Sequence, residues 1–208
     1  MRGVIAWFAA LALVLSVASP AAAMSFKVAT TSKGFHVIVA KGDIARGDAR
    51  RLARALEKAD RDRHGMKQLY LESEGGLVYD ALEMAAVMRE AGVSTIVRKG
   101  TVCASACASV LFVAGKYRTV EKGGLLAIHS CYDNRSGRAA SECNAIISAE
   151  AEASGVSGLT MMALQEAAGR DAIIIFESDD AACFGLTLKP GAKPRKGNPP
   201  CIRKALGQ

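Results

Sequence analysis

A neutral hydroxyl attacks a carbonyl only beside a base, and the oxyanion it creates needs donors already in place. Three stretches of this chain carry those residue types. Gly100-Thr101-Val102-Cys103-Ala104-Ser105-Ala106-Cys107 sets Ser105 among small residues and runs into an apolar segment, Ala108 to Ala114, which stops at Gly115. A serine at the mouth of a buried helix gathers that helix's unpaired N–H groups around whatever it attacks. Upstream, Gly75-Gly76 offers backbone with no side chain in the way of an approaching carbonyl. Downstream, His129 ends the run Gly123-Gly124-Leu125-Leu126-Ala127-Ile128, where a strand leaves the core. The chemistry these imply is acyl transfer: Ser105 the nucleophile, His129 the base, and the N–H groups of Gly76 and Ala106 the oxyanion hole. The other two histidines, His36 and His64, fall in a strand and at a charged helix end. Taken singly, a serine among alanines packs, a histidine is structural and Gly-Gly is a turn. Their order and spacing carry the reading.

The elements that must position these residues alternate. Phe26 to Val28 and Phe35 to Val39 read as two strands around a Ser/Gly turn. Gly42-Asp43 opens a helical stretch ending at His64-Gly65, with Ala49, Leu52, Ala53, Leu56 and Ala59 on one face and a solvated, arginine-rich face opposite. Gln68 to Glu72 is a short strand leading into Ser73-Glu74-Gly75-Gly76. Val78, Ala81, Leu82, Ala85 and Met88 then recur at helical spacing before Gly92, and Ser94 to Arg98 is another strand. Beyond His129, Tyr132 to Ser141 is a polar loop, Ala145 to Ala153 and Thr160 to Ala168 are helices, Ala172 to Phe176 is a strand, and Asp179 to Phe184 is a short helix. Such alternation predicts an α/β fold with a mostly parallel sheet.

The chain has 208 residues, and its first 23 read as a secretory signal peptide. Met1-Arg2 is basic, Val4 to Val17 is apolar, and Ala21-Ala22-Ala23 is a small-residue cleavage pattern. That apolar run is shorter than the roughly 20 residues of a spanning helix. Residues 24–188 then form the folded domain, and 189–208 a basic, Pro/Gly-rich tail that is extended from Lys189 to Pro200. The net charge of +7 is partly local to that tail, which could touch an anionic membrane surface. With aromatics at only 5% and none interleaved there, stacking on bases is excluded and no nucleic-acid partner is expected.

Six cysteines, Cys103, Cys107, Cys131, Cys143, Cys183 and Cys201, lie behind the leader. An even count there favours disulfides in an oxidising compartment, periplasmic or secreted. Six cysteines can pair in many ways; short loops suggest Cys131 with Cys143 and Cys183 with Cys201, leaving Cys103 for Cys107. Cys103, Cys107, Cys131 and His129 have zinc-ligand types, but the same compartment argues against that reading. A redox role suits C-x-x-C rather than the C-x₃-C seen here. No cofactor or metal is expected.

Ser73-Glu74-Gly75-Gly76-Leu77-Val78, then Gly100 with Ala104-Ser105-Ala106, then Ala114-Gly115, then Ala127-Ile128-His129, resembles the proteolytic subunit of Clp proteases and signal-peptide peptidases with the same core. It looks most similar to exported bacterial relatives with a Cys-Ala-Ser-Ala-Cys segment. The likeness runs from Phe35 to Leu186 and is strongest from Leu69 to Ser130. It implies a Clp/crotonase fold, a stacked ββα superhelix, and Ser105, His129, Gly76 and Ala106 in the roles given above. It also implies a peptide or protein substrate and self-association. Glu74 departs from the family's usual proline. The family's third catalytic member is an aspartate; Asp171 is the first candidate here, with Asp179 and Asp180 as alternatives read more simply as helix-start acids. Nothing resembles the docking features of an ATPase-coupled chamber, so proteolysis would be ATP-independent. The rival expectation is a catalytically inactive member of the same fold that binds a peptide or protein.

Overall fold

The computed structural model describes residues 23–132, 140–168, 172–194 and 199–205. Alternating apolar residues build the main sheet from β1 (Ser25–Thr30), β2 (His36–Lys41), β3 (Lys67–Glu72), β4 (Val93–Val97) and β6 (Arg118–Val120), in the order β1-β2-β3-β4-β6. Only the β1–β2 hairpin is antiparallel; the other three pairings are parallel. A second sheet holds β5 (Val102–Ala104), β7 (Leu125–Ile128) and β8 (Ile174–Phe176) in the order β5-β7-β8, with β5 and β7 parallel and β8 antiparallel to β7. The fold is therefore mixed α/β with a mostly parallel central sheet.

Helices α1 (Asp48–Leu56) and α2 (Val78–Ala91) pack on one another, and α2 also packs on a π-helix at Cys107–Phe112. Ala81, Met84, Ala85 and Met88 form the buried stripe of α2, and Gly92 ends it in the left-handed conformation, φ 68°. A residue with a Cβ would be strained at that cap. Helices α3 (Ser141–Ala153) and α4 (Gly158–Ala168) form a pair, with α3 against the π-helix. The π-helix is buried along its whole length and lies at the centre of the apolar core.

The expected first helix is corrected at both ends. The first helix begins at Asp48, not at Gly42-Asp43, because Ile44 is drawn into pairing with the glycine segment: its N–H donates to Gly75 O (2.7 Å) and its carbonyl accepts from Leu77 N (3.0 Å). The same helix ends at Leu56 rather than near His64 because the chain beyond it is claimed by a remote contact, Asp60 with His36, and then by a turn closed on Asp62. Asp60 accepts from His36 N (2.7 Å), and Asp62 Oδ1 accepts from His64 N and Met66 N (2.8 and 3.0 Å). Strand β6 was not foreseen; its three residues are too few to show a period. Near the C-terminus, Pro200–Ala205 forms α6, a turn and a half opened by proline.

The three disulfides are Cys103–Cys107, Cys131–Cys143 and Cys183–Cys201, the last joining α6 to α5 (Ser178–Cys183). With Cys103, Cys107 and Cys131 in disulfides, the zinc reading loses its thiolates. No helix among the described residues is long and apolar enough to cross a membrane.

Candidate functional site

Parallel strands present their carboxyl ends at one edge, and loops leaving that edge can converge. Strand β5 pairs with β7 in the register Ala104 to Ala127, so Ser105 leaves the sheet one residue past that pair and His129 two residues past it. The N–H of Ser105 donates to Ala127 O at 2.8 Å, which pins the serine to the strand that delivers the histidine. Ser105 has φ 54°, the only positive value at a non-glycine residue among those described. Such a turn costs energy and aims the side chain away from the regular helix path. What holds it is local: the carbonyl of Ser105 accepts from Ala108 N (3.0 Å), Ser109 N (2.9 Å) and Ser109 Oγ (2.9 Å). The buried Cys103–Cys107 disulfide spans the same turn from strand to helix.

The glycine segment meets that turn by pairing with β5. Ser73 N donates to Val102 O (2.9 Å), and Ala104 N donates to Ser73 O (2.8 Å). Gly75 and Gly76 have φ 110° and 135°, conformations that glycine alone adopts without strain. Space demands glycine as well: a Cβ on Gly75 would lie 2.6 Å from Ser105 Cβ, and one on Gly76 would lie 2.3 Å from Ile44 O. Among the described residues, no group accepts a hydrogen bond from the N–H of Gly76 or of Ala106. Both expected oxyanion donors are thus uncommitted.

His129 is half-buried. Its Nδ1 lies 2.7 Å from Ser130 O. A carbonyl only accepts, so Nδ1 carries the proton, and in the neutral ring that tautomer leaves the lone pair a general base requires on Nε2. Tyr132 packs beside the ring, centroid to centroid 5.6 Å. Ser105, Ala106, Gly76 and His129 line one cleft of about 760 Å³ together with Ile44, Leu77, Tyr79, Tyr132 and Ile147. Among the described residues no hydrogen bond joins Ser105 Oγ to the His129 ring, and no carboxylate bonds that ring.

Asp171 lies outside the described residues. Asp179 and Asp180 are exposed in the first turn of α5, where acids complement the helix dipole. His36 pairs with Asp60 at 3.0 Å on the surface, and His64 packs on Tyr117; neither lines the cleft.

Four supporting residues escaped the sequence. Ser109 follows Ser105 by four residues, a spacing that could have flagged it. Ser130 and Asn144, treated below, gave no signal. Arg118, 2% exposed, reaches the far end of the π-helical segment: Nη1 donates to Val113 O (3.3 Å), Gly115 O (3.0 Å) and Ser154 O (3.0 Å), and Nε donates to Leu186 O (2.8 Å). Burial pulls its pKa down to about 10, so it stays charged at neutral pH. Helix-end carbonyls, with their partial negative charge, take the place of a carboxylate partner.

Compared with protein-family models and with curated proteins, the chain matches none. Among solved structures, it is similar to a ClpP1 mutant from Listeria monocytogenes, with a TM-score of 0.52 and 18% identity over 70% of this chain and 84% of that one. At that identity the likeness is one of fold: the chain has a Clp protease-like α/β fold.

Proposed function

We propose that this chain is an exported, ATP-independent serine hydrolase acting on peptides or proteins. The observation that carries the reading is the strained Ser105 turn, sharing a cleft with the His129 ring and with two N–H groups that no described residue engages. Ser105 Oγ attacks the substrate carbonyl carbon while its proton passes to Nε2 of His129. The carbonyl electron pair moves onto oxygen, which the N–H groups of Gly76 and Ala106 receive. Collapse expels the amine, which takes the proton from His129, and a water molecule repeats the sequence on the acyl-enzyme. The resemblance makes Asp171 the first candidate for the third place, with Asp179 and Asp180 as alternatives.

Export is supported by three disulfides and by the leader pattern. Met24, only 1% exposed, fits a mature domain that begins there, after a cleaved 1–23. The stacked ββα superhelix, self-association and membrane contact through the basic tail belong to the same proposal.

A fluorophosphonate probe tests the hydrolase reading: wild type is labelled and Ser105→Ala is not. Folded wild type that stays unlabelled overturns it in favour of a peptide-binding module of the same fold. That second reading has one observation behind it, the missing Ser105 to His129 hydrogen bond.

A further inference from the structure

Asn144 sits in the second turn of α3, 7% exposed, and neither end of its amide faces solvent freely. A buried amide must place both its acceptor and its donor. Oδ1 accepts from Cys131 N at 2.7 Å, and Nδ2 donates to Ser130 Oγ at 2.8 Å. Both partners follow directly after His129.

The N–H of Cys131 and the carbonyl of Ser130 belong to one peptide plane. In a trans peptide these two groups point in opposite directions, and no described peptide here is cis. Drawing the N–H toward Asn144 therefore aims the carbonyl away from Asn144, and on that side it meets His129 Nδ1 at 2.7 Å. The bond from Nδ2 to Ser130 Oγ fixes the same peptide from a second point. The Cys131–Cys143 disulfide joins the two segments one residue from Asn144, so the amide is held in reach.

We propose that Asn144 is a positioning residue for His129, acting through the Ser130–Cys131 peptide. The chain of contacts runs from the imidazole Nδ1–H to the Ser130 carbonyl, and from the Cys131 N–H to the Asn144 amide. Hydrogen bonds in such a series polarise one another, so the amide strengthens the acceptor that fixes the tautomer. A neutral peptide thereby does the orienting work a carboxylate does elsewhere. The proposal rests on His129 serving as the base of the Ser105 site, and it assigns Asn144 no contact with substrate.

The test is the ring tautomer of His129, read by nitrogen NMR on histidine-labelled protein, alongside the rate of fluorophosphonate labelling. Wild type shows one neutral tautomer, protonated at Nδ1. Asn144→Leu keeps the bulk and loses the acceptor: the ring becomes a tautomer mixture and labelling slows roughly tenfold. Asn144→Asp keeps an acceptor for the Cys131 N–H and restores the single tautomer. An unchanged tautomer and labelling rate in folded Asn144→Leu overturns the proposal. So does a wild-type ring protonated at Nε2, which needs no variant to fold. Wild type that is never labelled overturns the hydrolase reading instead, while the tautomer comparison still decides the role of Asn144.

Discussion

The two sides of the cleft are built differently. On the serine side, backbone does the work: Ser105 hangs from Ala127 O, shares its carbonyl with the following turn, and is crowded by Gly75, which admits no Cβ. Its surroundings, Cys103 to Ala114, are buried apart from the serine itself. On the histidine side, polar side chains and a half-buried disulfide hold a short segment against α3. On the proposed reading, changes around Ser105 should disturb the core together with the site, whereas changes on the histidine side should loosen the ring while the fold persists. Stability and labelling should therefore be coupled on one side and separable on the other.

The largest break in that contrast is Arg118→Met. It leaves the carbonyls of Val113, Gly115, Ser154 and Leu186 without their donor and should cost about 3 kcal/mol. Thermal unfolding should shift down by roughly 6–12 °C for a domain of this size, and an unshifted midpoint would show the cluster is dispensable. Gly75→Ala comes next: positive φ and a 2.6 Å approach to Ser105 Cβ should cost about 2 kcal/mol. Labelling of Ser105 should fall by about a hundredfold with it. Retained labelling in a destabilised protein would mean that the two properties part even on the serine side.

Replacing Cys131 and Cys143 together by serine opens a short loop, a separation of 12 residues. The expected loss is about 2 kcal/mol. Labelling should slow while circular dichroism keeps its native shape, and a full loss of structure would contradict the separability claimed for the histidine side.

The smallest effect lies away from the cleft, at Asp60. A hydrogen bond from the main-chain N–H of His36 holds this carboxyl below its ordinary 3.8. Its stabilising contribution is present above that value and is lost as pH falls through the depressed one. Denaturant midpoints of wild type and Asp60→Asn should differ slightly at pH 6 and converge in acid; a gap that persists in acid would assign the effect to something other than this charge.

Much of the architecture was readable beforehand because periodic burial writes itself into sequence. Helix α2 and its Gly92 cap, strands β2 to β4, and the α3–α4 pair follow from apolar spacing. The short disulfide loops were readable too, since closing a short loop costs little chain entropy. The first helix was misread at both ends because its competitors were contacts with residues remote in sequence, Ile44 with Gly75 and Asp60 with His36. Nothing in the residue pattern of Cys107 to Phe112 separates a π-helix from an α-helix, since the two differ in hydrogen-bond register rather than in composition.

By itself, then, the sequence determined which residue types were on offer: one serine among small neighbours, one histidine at a strand end, two adjacent glycines, and cysteines spaced for short bridges. Composition and local period act over a few residues, so they reach that far. Tertiary structure alone decided that β5 and β7 lie side by side in parallel, so that their carboxyl ends open on one cleft. It alone supplied His129 with a peptide carbonyl and that peptide with Asn144. Those are relations between distant segments, fixed by the common burial of both sheets around the π-helix, and no local signal records them.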